Sequence, residues 1–410
     1  MRIKRNTRCI SMFLTAVMVA AIALSCFGVQ KAEAVGEVQG IKETWYYVRN
    51  ADTGYYLDVA YGIDANGANV IQYSFNGDYN QQWRPVLQSN GYYILETRCS
   101  SASPKRVLHV NGTNVDIASP FWPGSQEFEI LRMSHLALDP TRQGLYRMRW
   151  TGNYDNIASQ PGNGGNVFIS TSATNSYWSF IPVEKGYATL YTTNIPQDKF
   201  VFGSINTTGS NAPFQTDVTA MGYSSRVKTN FDPSGSYQDP NSNKYKYAAD
   251  IISDLKSSQI WVHNAHAGSG VMAYHCKSAS YSVPTLQIGV KAASGLPPDV
   301  PFHNISTFPY NSLASCRVFI SLGCESAMST SNGNLIDSAY LKGAHSAIGW
   351  TTNGTPTQTN DWLNRFMVYS KNVKTVEEAV TYANTPSSLL IAKRSGEYAI
   401  GDKKQVLYCP

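Results

Sequence analysis

Two residues in this chain stand where sulfur and imidazole chemistry could be done. Cys324 closes the apolar run Val318-Phe-Ile-Ser-Leu-Gly-Cys324-Glu-Ser326, and His266 closes Gln259-Ile-Trp-Val-His-Asn-Ala-His266-Ala-Gly268. A thiolate is the attacking species of cysteine chemistry; an adjacent imidazole can generate it and later protonate a leaving amine. Ala265, Ala267, Gly268 and Gly270 surround the histidine, and Gly323 precedes the cysteine. Such small residues let a substrate backbone come close and leave amide N–H groups to face a developing oxyanion. The backbone N–H groups of Gly268 and Cys324 are the expected donors. His263, His266, His275 and Cys276 offer nitrogen and sulfur, but His-x-x-His on a strand end is poor zinc geometry, so no metal site is assigned. Glu325 reads as a helix-start acid rather than a catalytic partner. No Gly-x-Ser-x-Gly elbow, His-Glu-x-x-His helix or phosphate loop occurs.

Strands must deliver both side chains. Three short apolar runs, before His266, before Cys324 and through His345-Ser-Ala-Ile-Gly-Trp350, are separated by helical patterns. That alternation predicts a parallel sheet with helical crossovers, whose strand ends form the reactive rim. Strands are expected at Ile260–Val262, Val318–Leu322 and Leu286–Val290. A helix is expected from Tyr247, with Ala248, Ile251, Ile252 and Leu255 on one face, and another at Asn334–Lys342. Two helices close the chain. Trp362, Leu363, Phe366 and Met367 line the first; the second opens with a capping box, Thr375 to Glu378. Asp232–Lys244 and Gly295-Leu-Pro-Pro read as loops, and Leu190–Phe231 shows no clear period. Residues 186–410 form this second domain.

A first domain, residues 43–183, carries a weak threefold repeat. Its units end in Gln81-Gln-Trp83-Arg-Pro85, Gln126-Glu-Phe128-Glu-Ile130 and Ser176-Tyr-Trp178-Ser-Phe180. Earlier in each lies a short strand: Tyr56-Leu-Asp-Val59, Val107-Leu-His-Val110 and Asp155-Asn-Ile157. Gly67-Ala-Asn69-Val70, Gly112-Thr-Asn114-Val115 and Gly165-Asn166-Val167 recur as a third feature. One such unit cannot bury its own core, but three can share the Trp/Phe plugs.

With Asn80-Gln81-Gln82-Trp83 as its best motif, this region resembles the ricin-type β-trefoil lectins. The resemblance implies an all-β trefoil and a sugar held by Asp58, Tyr73 and Asn80 in the first unit. Stacking a ring on a sugar face while polar groups fix its hydroxyls is sound recognition chemistry. Ile71 stands where the family usually has glutamine, His109 replaces the aspartate in the second unit, and Asn156 stands near that position in the third. One competent site is therefore expected, not three.

The second domain resembles the caspase-like cysteine peptidases, the clan of clostripain and the gingipains. The order Ile260…His266-Ala-Gly268, Val318…Cys324-Glu, then Ala347-Ile-Gly-Trp350 carries the likeness. It implies an α/β caspase-like sandwich with a mainly parallel sheet, His266 as general base and acid, Cys324 as nucleophile, and peptide-bond hydrolysis through an acyl-enzyme. The family usually has glycine after the histidine; here it is Ala267, which bears on the oxyanion geometry.

Residues 1–34 read as a secretory signal peptide: a basic head of Arg2, Lys4, Arg5 and Arg8, an uncharged apolar run Met12–Phe27, and Ala32-Glu-Ala34 at the cleavage spacing. Cys26 lacks the usual lipidation spacing, because Leu24 lies one position off. Subtracting the leader's five bases and one acid leaves 28 basic against 27 acidic residues, so neither nucleic acid nor an anionic membrane is called for as a partner. No later stretch approaches the ~20 apolar residues of a membrane span. Five cysteines remain, Cys99, Cys276, Cys316, Cys324 and Cys409, an odd number that leaves at least one unpaired in a monomer. The expectation is a secreted cysteine endopeptidase with no cofactor assigned and dependence on a divalent ion left open, acting on protein or peptide substrates, with a lectin-like module for glycans. The alternative is a glycan-binding or adhesive protein whose peptidase-like domain is inactive.

Overall fold

The computed structural model describes residues 37–39, 41–120, 124–133, 144–195, 205–229, 240–274, 286–292, 302–309, 312–388 and 395–408. The expected leader, His275, Cys276, the Gly295-Leu-Pro-Pro loop, Cys409 and most of the loop from Asp232 lie outside them.

The first domain is a β-trefoil. Of the thirteen strands in its sheet, twelve run from Tyr46 to Pro182, four to each repeat unit. Burial alternates along some of them, as in Tyr93–Thr97, and is continuous along others, as in Tyr56–Val59 and Asn156–Ser159. Trp83, Phe128 and Trp178 are fully buried in one shared core with Leu57, Leu108 and Ile157. The Trp83 indole N–H donates to the Leu57 carbonyl and that of Trp178 to the Ile157 carbonyl, each at 2.9 Å. This repeated bond aligns the units and corrects one expectation. In the third unit Ala158, not Asn156, stands where the first has Asp58. The strand registers agree: Asp58 faces Ile71, His109 faces Asp116, and Ala158 faces Phe168.

The recurring asparagine closes the trefoil on its axis. Asn69 Nδ2 donates to Asn166 Oδ1 at 2.9 Å, Asn166 to Asn114 at 2.9 Å, and Asn114 back to Asn69 at 3.0 Å. Each amide gives one bond and takes one, so three chain segments are tied in a cycle.

The second domain is built on a six-stranded mixed sheet. Its strands are β1 (Tyr187–Thr192), β2 (Ser224–Thr229), β3 (Ser258–Asn264), β4 (Val318–Ser321), β5 (Ser346–Trp350) and β6 (Glu397–Gly401), in the order β2-β1-β3-β4-β5-β6. The first five are parallel and β6 runs antiparallel to β5. Its helices are α1 (Asn211–Ala220), α2 (Pro240–Ser257), α3 (Leu335–Leu341), α4 (Pro356–Ser370) and α5 (Val376–Ala383). Trp261, Phe319 and Ala347 meet α2 and α3 on one face. Ile260, Val262, Val318, Ile320, Ile348 and Trp350 meet α1, α4 and α5 on the other. Burial on both faces explains why these strands read as continuous apolar runs. Helix α2 begins at Pro240, earlier than Tyr247, because proline suits a first helical position. The Thr375–Glu378 capping box is present, and α4 carries a second one, Thr355 with Gln358.

The trefoil packs against the ends at which the parallel strands begin. Arg132 donates to the carbonyls of Tyr340 and Ala344, and its guanidinium lies 4.3 Å from the centre of the Tyr340 ring. Ser179 meets Asp402, and Arg49 donates to the Lys404 carbonyl at 3.1 Å. Tyr47, Tyr56, Ile181 and Val406 bury a small apolar cluster between the lobes.

Replacing Asn114 by alanine removes one donor and one acceptor from the asparagine cycle. The expected loss is about 1–2 kcal/mol of trefoil stability, read as a lower urea midpoint in tryptophan fluorescence. An unchanged midpoint would contradict a stabilising role for the cycle.

Candidate functional site

Strands β3 and β4 are parallel neighbours whose register pairs Ile260 with Val318 and His263 with Ser321. The Leu322 N–H donates to the His263 carbonyl at 2.8 Å. His266 and Cys324 each lie three residues beyond the last pair, at the same rim. Gly323 brings the two loops together. A Cβ there would lie 2.1 Å from the Ala267 Cβ and 2.8 Å from the Ala265 carbonyl oxygen. Only glycine permits that approach, so the segment flanking His266 is pressed against the residue before Cys324. Ala267 itself lies in an extended strand pair, Ala267–Gly268 with Val271–Tyr274, where alanine is unstrained.

His266 is largely buried, and desolvation lowers its pKa below the usual 6.5, which keeps it a neutral acceptor near pH 7. Cys324 is a half-buried free thiol with its Sγ 3.8 Å from the Gly354 carbonyl. Cys316 is buried and its pKa is pushed up to about 12; burial also raises that of Cys99. His263 is wholly buried behind the rim with Nε2 3.1 Å from the Ala273 carbonyl, and desolvation takes it down to about 4.

The two expected oxyanion donors differ. Among the described residues the Cys324 N–H has no carbonyl partner. Gly268 pairs with Val271 in a tight hairpin, and the Ala273 N–H bond to the His266 carbonyl makes 268/271 a hydrogen-bonded pair. The Gly268 N–H is therefore engaged across the ladder. Glu325 does not start a helix. It lies in a turn with φ 52°, a left-handed conformation that cannot continue one, and α3 begins only at Leu335. Its carboxylate accepts from Ser269 Oγ at 2.8 Å and its N–H donates to the Thr352 carbonyl at 3.2 Å. Glu325 thus straps the tip of the His266 hairpin to the Cys324 turn.

In the trefoil, Asp58 is 2% exposed. Its oxygens accept from Asn80 Nδ2 at 2.8 Å and Gln81 Nε2 at 2.9 Å. Burial raises its pKa to about 6 against those two bonds, which lower it. The structure thus joins Asp58 to Asn80. Tyr73 pairs with Tyr56, so it is only a diagonal neighbour of Asp58 on the same sheet face. A cavity of about 570 Å³ opens between the turn at Tyr61 and Gly62 and the segment Asn76–Asn80; Tyr73 does not line it. In the second unit His109 Nδ1 lies 2.7 Å from Asp116 Oδ1, so the carboxylate has moved to the facing strand. The third unit offers only Ala158 and Phe168 there.

Fold and site together define a lectin-like carbohydrate-binding module joined to an α/β domain. Residues 37–118 match the family described as ricin-type beta-trefoil lectin domain-like. No curated protein matches the chain. Among solved structures, the chain is similar to the designed threefold-symmetric protein ThreeFoil, with 26% identity over 33% of this chain and 97% of that one, TM-score 0.29. It is also similar to the ricin B-like lectin of Macrolepiota procera solved with lactose (16%, 35% and 99%, TM-score 0.27) and to the C-half of the earthworm R-type lectin solved with GalNAc (11%, 34% and 98%, TM-score 0.26). Among the described residues no helix is long and apolar enough to cross a membrane.

The Asp58 shift has a sign that can be tested. A carboxyl whose folded pKa is raised holds its proton longer in the fold, so its contribution to stability falls as pH rises from 3.8 to about 6, and is level above. The stability of the wild type relative to Asp58→Asn should decline through that window in urea titrations. A relative stability that climbs with pH there would contradict the burial argument.

Proposed function

We propose that the chain is a secreted cysteine endopeptidase of the caspase-like kind, tethered to glycans by its trefoil. The observation that carries the reading is the register of β3 with β4, with His266 and Cys324 three residues past the same pair and Gly323 closing the gap. In the proposed reaction His266 takes the Cys324 proton. The sulfur adds to the substrate carbonyl, and the Cys324 N–H donates to the oxyanion. His266 then gives its proton to the leaving amine, which departs as a thioester forms. Water, deprotonated by His266, cleaves the thioester and restores the thiol. Neither step needs a cofactor. Tethering through the trefoil would raise the local concentration of substrate near a glycan-bearing surface.

A second reading, a glycan-binding or adhesive protein with an inactive peptidase-like domain, is favoured by one observation: the Gly268 N–H is engaged within its hairpin and is not free to face an oxyanion.

A peptidyl electrophile separates the two. Cys324 should be modified selectively over Cys316 and Cys99, whose thiols burial holds protonated. His266→Ala should slow that modification by about 100-fold or more. Equal labelling with and without His266 would favour the inactive domain.

A further inference from the structure

We infer that the trefoil's sugar cavity is walled by Tyr61 and Tyr79, and that Tyr73 takes no part in it. The inference rests on the lectin reading of this domain and deepens it. Neither tyrosine belongs to the repeat, and neither was singled out by the family pattern.

Tyr61 is the stronger observation. It is 96% exposed, with φ 59° and ψ 12°. Gly62 follows at φ 65°, and the Ile63 N–H returns to the Ala60 carbonyl at 3.3 Å. Two left-handed central residues define a type I′ turn, which asparagine, aspartate or glycine occupies without difficulty. A tyrosine at its first central position costs about 1–2 kcal/mol. Tyr154 shows how such a cost is ordinarily offset. It too is left-handed, at φ 63°, but its ring meets the Arg149 guanidinium at 5.6 Å and its hydroxyl lies 3.4 Å from that of Tyr92. Among the described residues the Tyr61 ring has no such partner. Strain in a residue whose side chain stabilises nothing within the fold points to a ligand outside it.

The opposite wall is held still. Tyr79 is exposed, with the Arg98 guanidinium 4.8 Å from its ring centre, and Arg98 is anchored in turn on Gln82 Oε1 at 2.8 Å. Between the rings the polar groups are mainly acceptors. Asn80 Oδ1 meets only the Asn76 amide, at 3.5 Å, and the Asp78 carboxylate takes no hydrogen bond among the described residues. Asp58 lies behind Asn80. Exposed aromatic faces suit the C–H face of a pyranose, and amide and carboxylate oxygens suit its hydroxyls. Gly62 packs beside the Asn80 Cβ, so turn and polar segment form one wall-to-wall unit. The strand end at Tyr73 turns instead toward the third repeat, where the Ser74 N–H donates to Asn163 Oδ1 at 2.8 Å.

The test uses the full chain on a glycan array bearing galactose-, N-acetylgalactosamine- and glucose-terminated oligosaccharides beside sialylated ones, followed by titration of the best binder. Tyr61→Gly and Tyr79→Ala should each weaken binding by about tenfold or more. Tyr61→Gly should melt at or above the wild-type temperature, because glycine relieves the turn. Tyr154→Gly, the same change at a left-handed tyrosine outside the cavity, should bind as the wild type does. If Tyr73→Ala abolishes binding while Tyr61→Gly and Tyr79→Ala retain it, the inference falls and the lectin reading stands. An array blank for every glycan removes the lectin reading and this inference with it.

Discussion

The second domain depends on one close approach, that of Gly323 to the segment Ala265–Ala267. Two parallel strands would in any case deliver their following loops to the same rim. Without a side chain at Gly323 those loops can touch, because a methyl group there would overlap both the Ala267 side chain and the Ala265 carbonyl oxygen. The contact brings the chain segments that carry His266 and Cys324 side by side. The Ser269–Glu325 bond then locks the outer edges of the same two loops, at the expense of a left-handed glutamate. Desolvation of His266 follows from this packing, and a neutral imidazole is the form that can accept a proton.

Among the described residues the trefoil makes its bonds to the second domain away from that rim. It packs where the parallel strands begin, through Arg132 on α3 and the chain just before β5, and through Ser179 and Arg49 on the segment after β6. The interface is polar in its bonds but buried: Arg132 gives its two terminal nitrogens to carbonyls and its face to an aromatic ring, while its buried Nε is left without a hydrogen-bond partner among the described residues. Such a guanidinium holds one geometry well and tolerates little sliding. The trefoil contacts and Cys324 therefore lie at opposite ends of the central strands.

Much of this was legible in the chain. Strands β3, β4 and β5 announce themselves because burial on both faces demands unbroken apolar runs, and Thr375 with Glu378 announces α5. The repeated asparagine was visible as a pattern, though only the fold shows three amides bonding in a cycle. What escaped did so for physical reasons. The edge strand β2, Ser224–Thr229, is polar and half-exposed, so no apolar period marks it. Asp239-Pro240-Asn-Ser-Asn has loop composition, yet proline at a first helical position opens α2. Asn156 lies two residues short of the Asp58 position because the indole bond that sets the repeat frame is a tertiary contact. Gly268 and Gly270 read as open, permissive backbone, whereas the fold uses them to close a hairpin. Tyr61 and Tyr79 come together only when two distant turns fold against each other.

The most direct test of the proposed chemistry is a digest of a proteome-derived peptide library, with new N-termini quantified by mass spectrometry. The wild-type protein should generate a defined set of cleavages that disappear in both Cys324→Ser and His266→Ala. Cleavage that persists in either variant, or no cleavage by the wild type, would contradict the account.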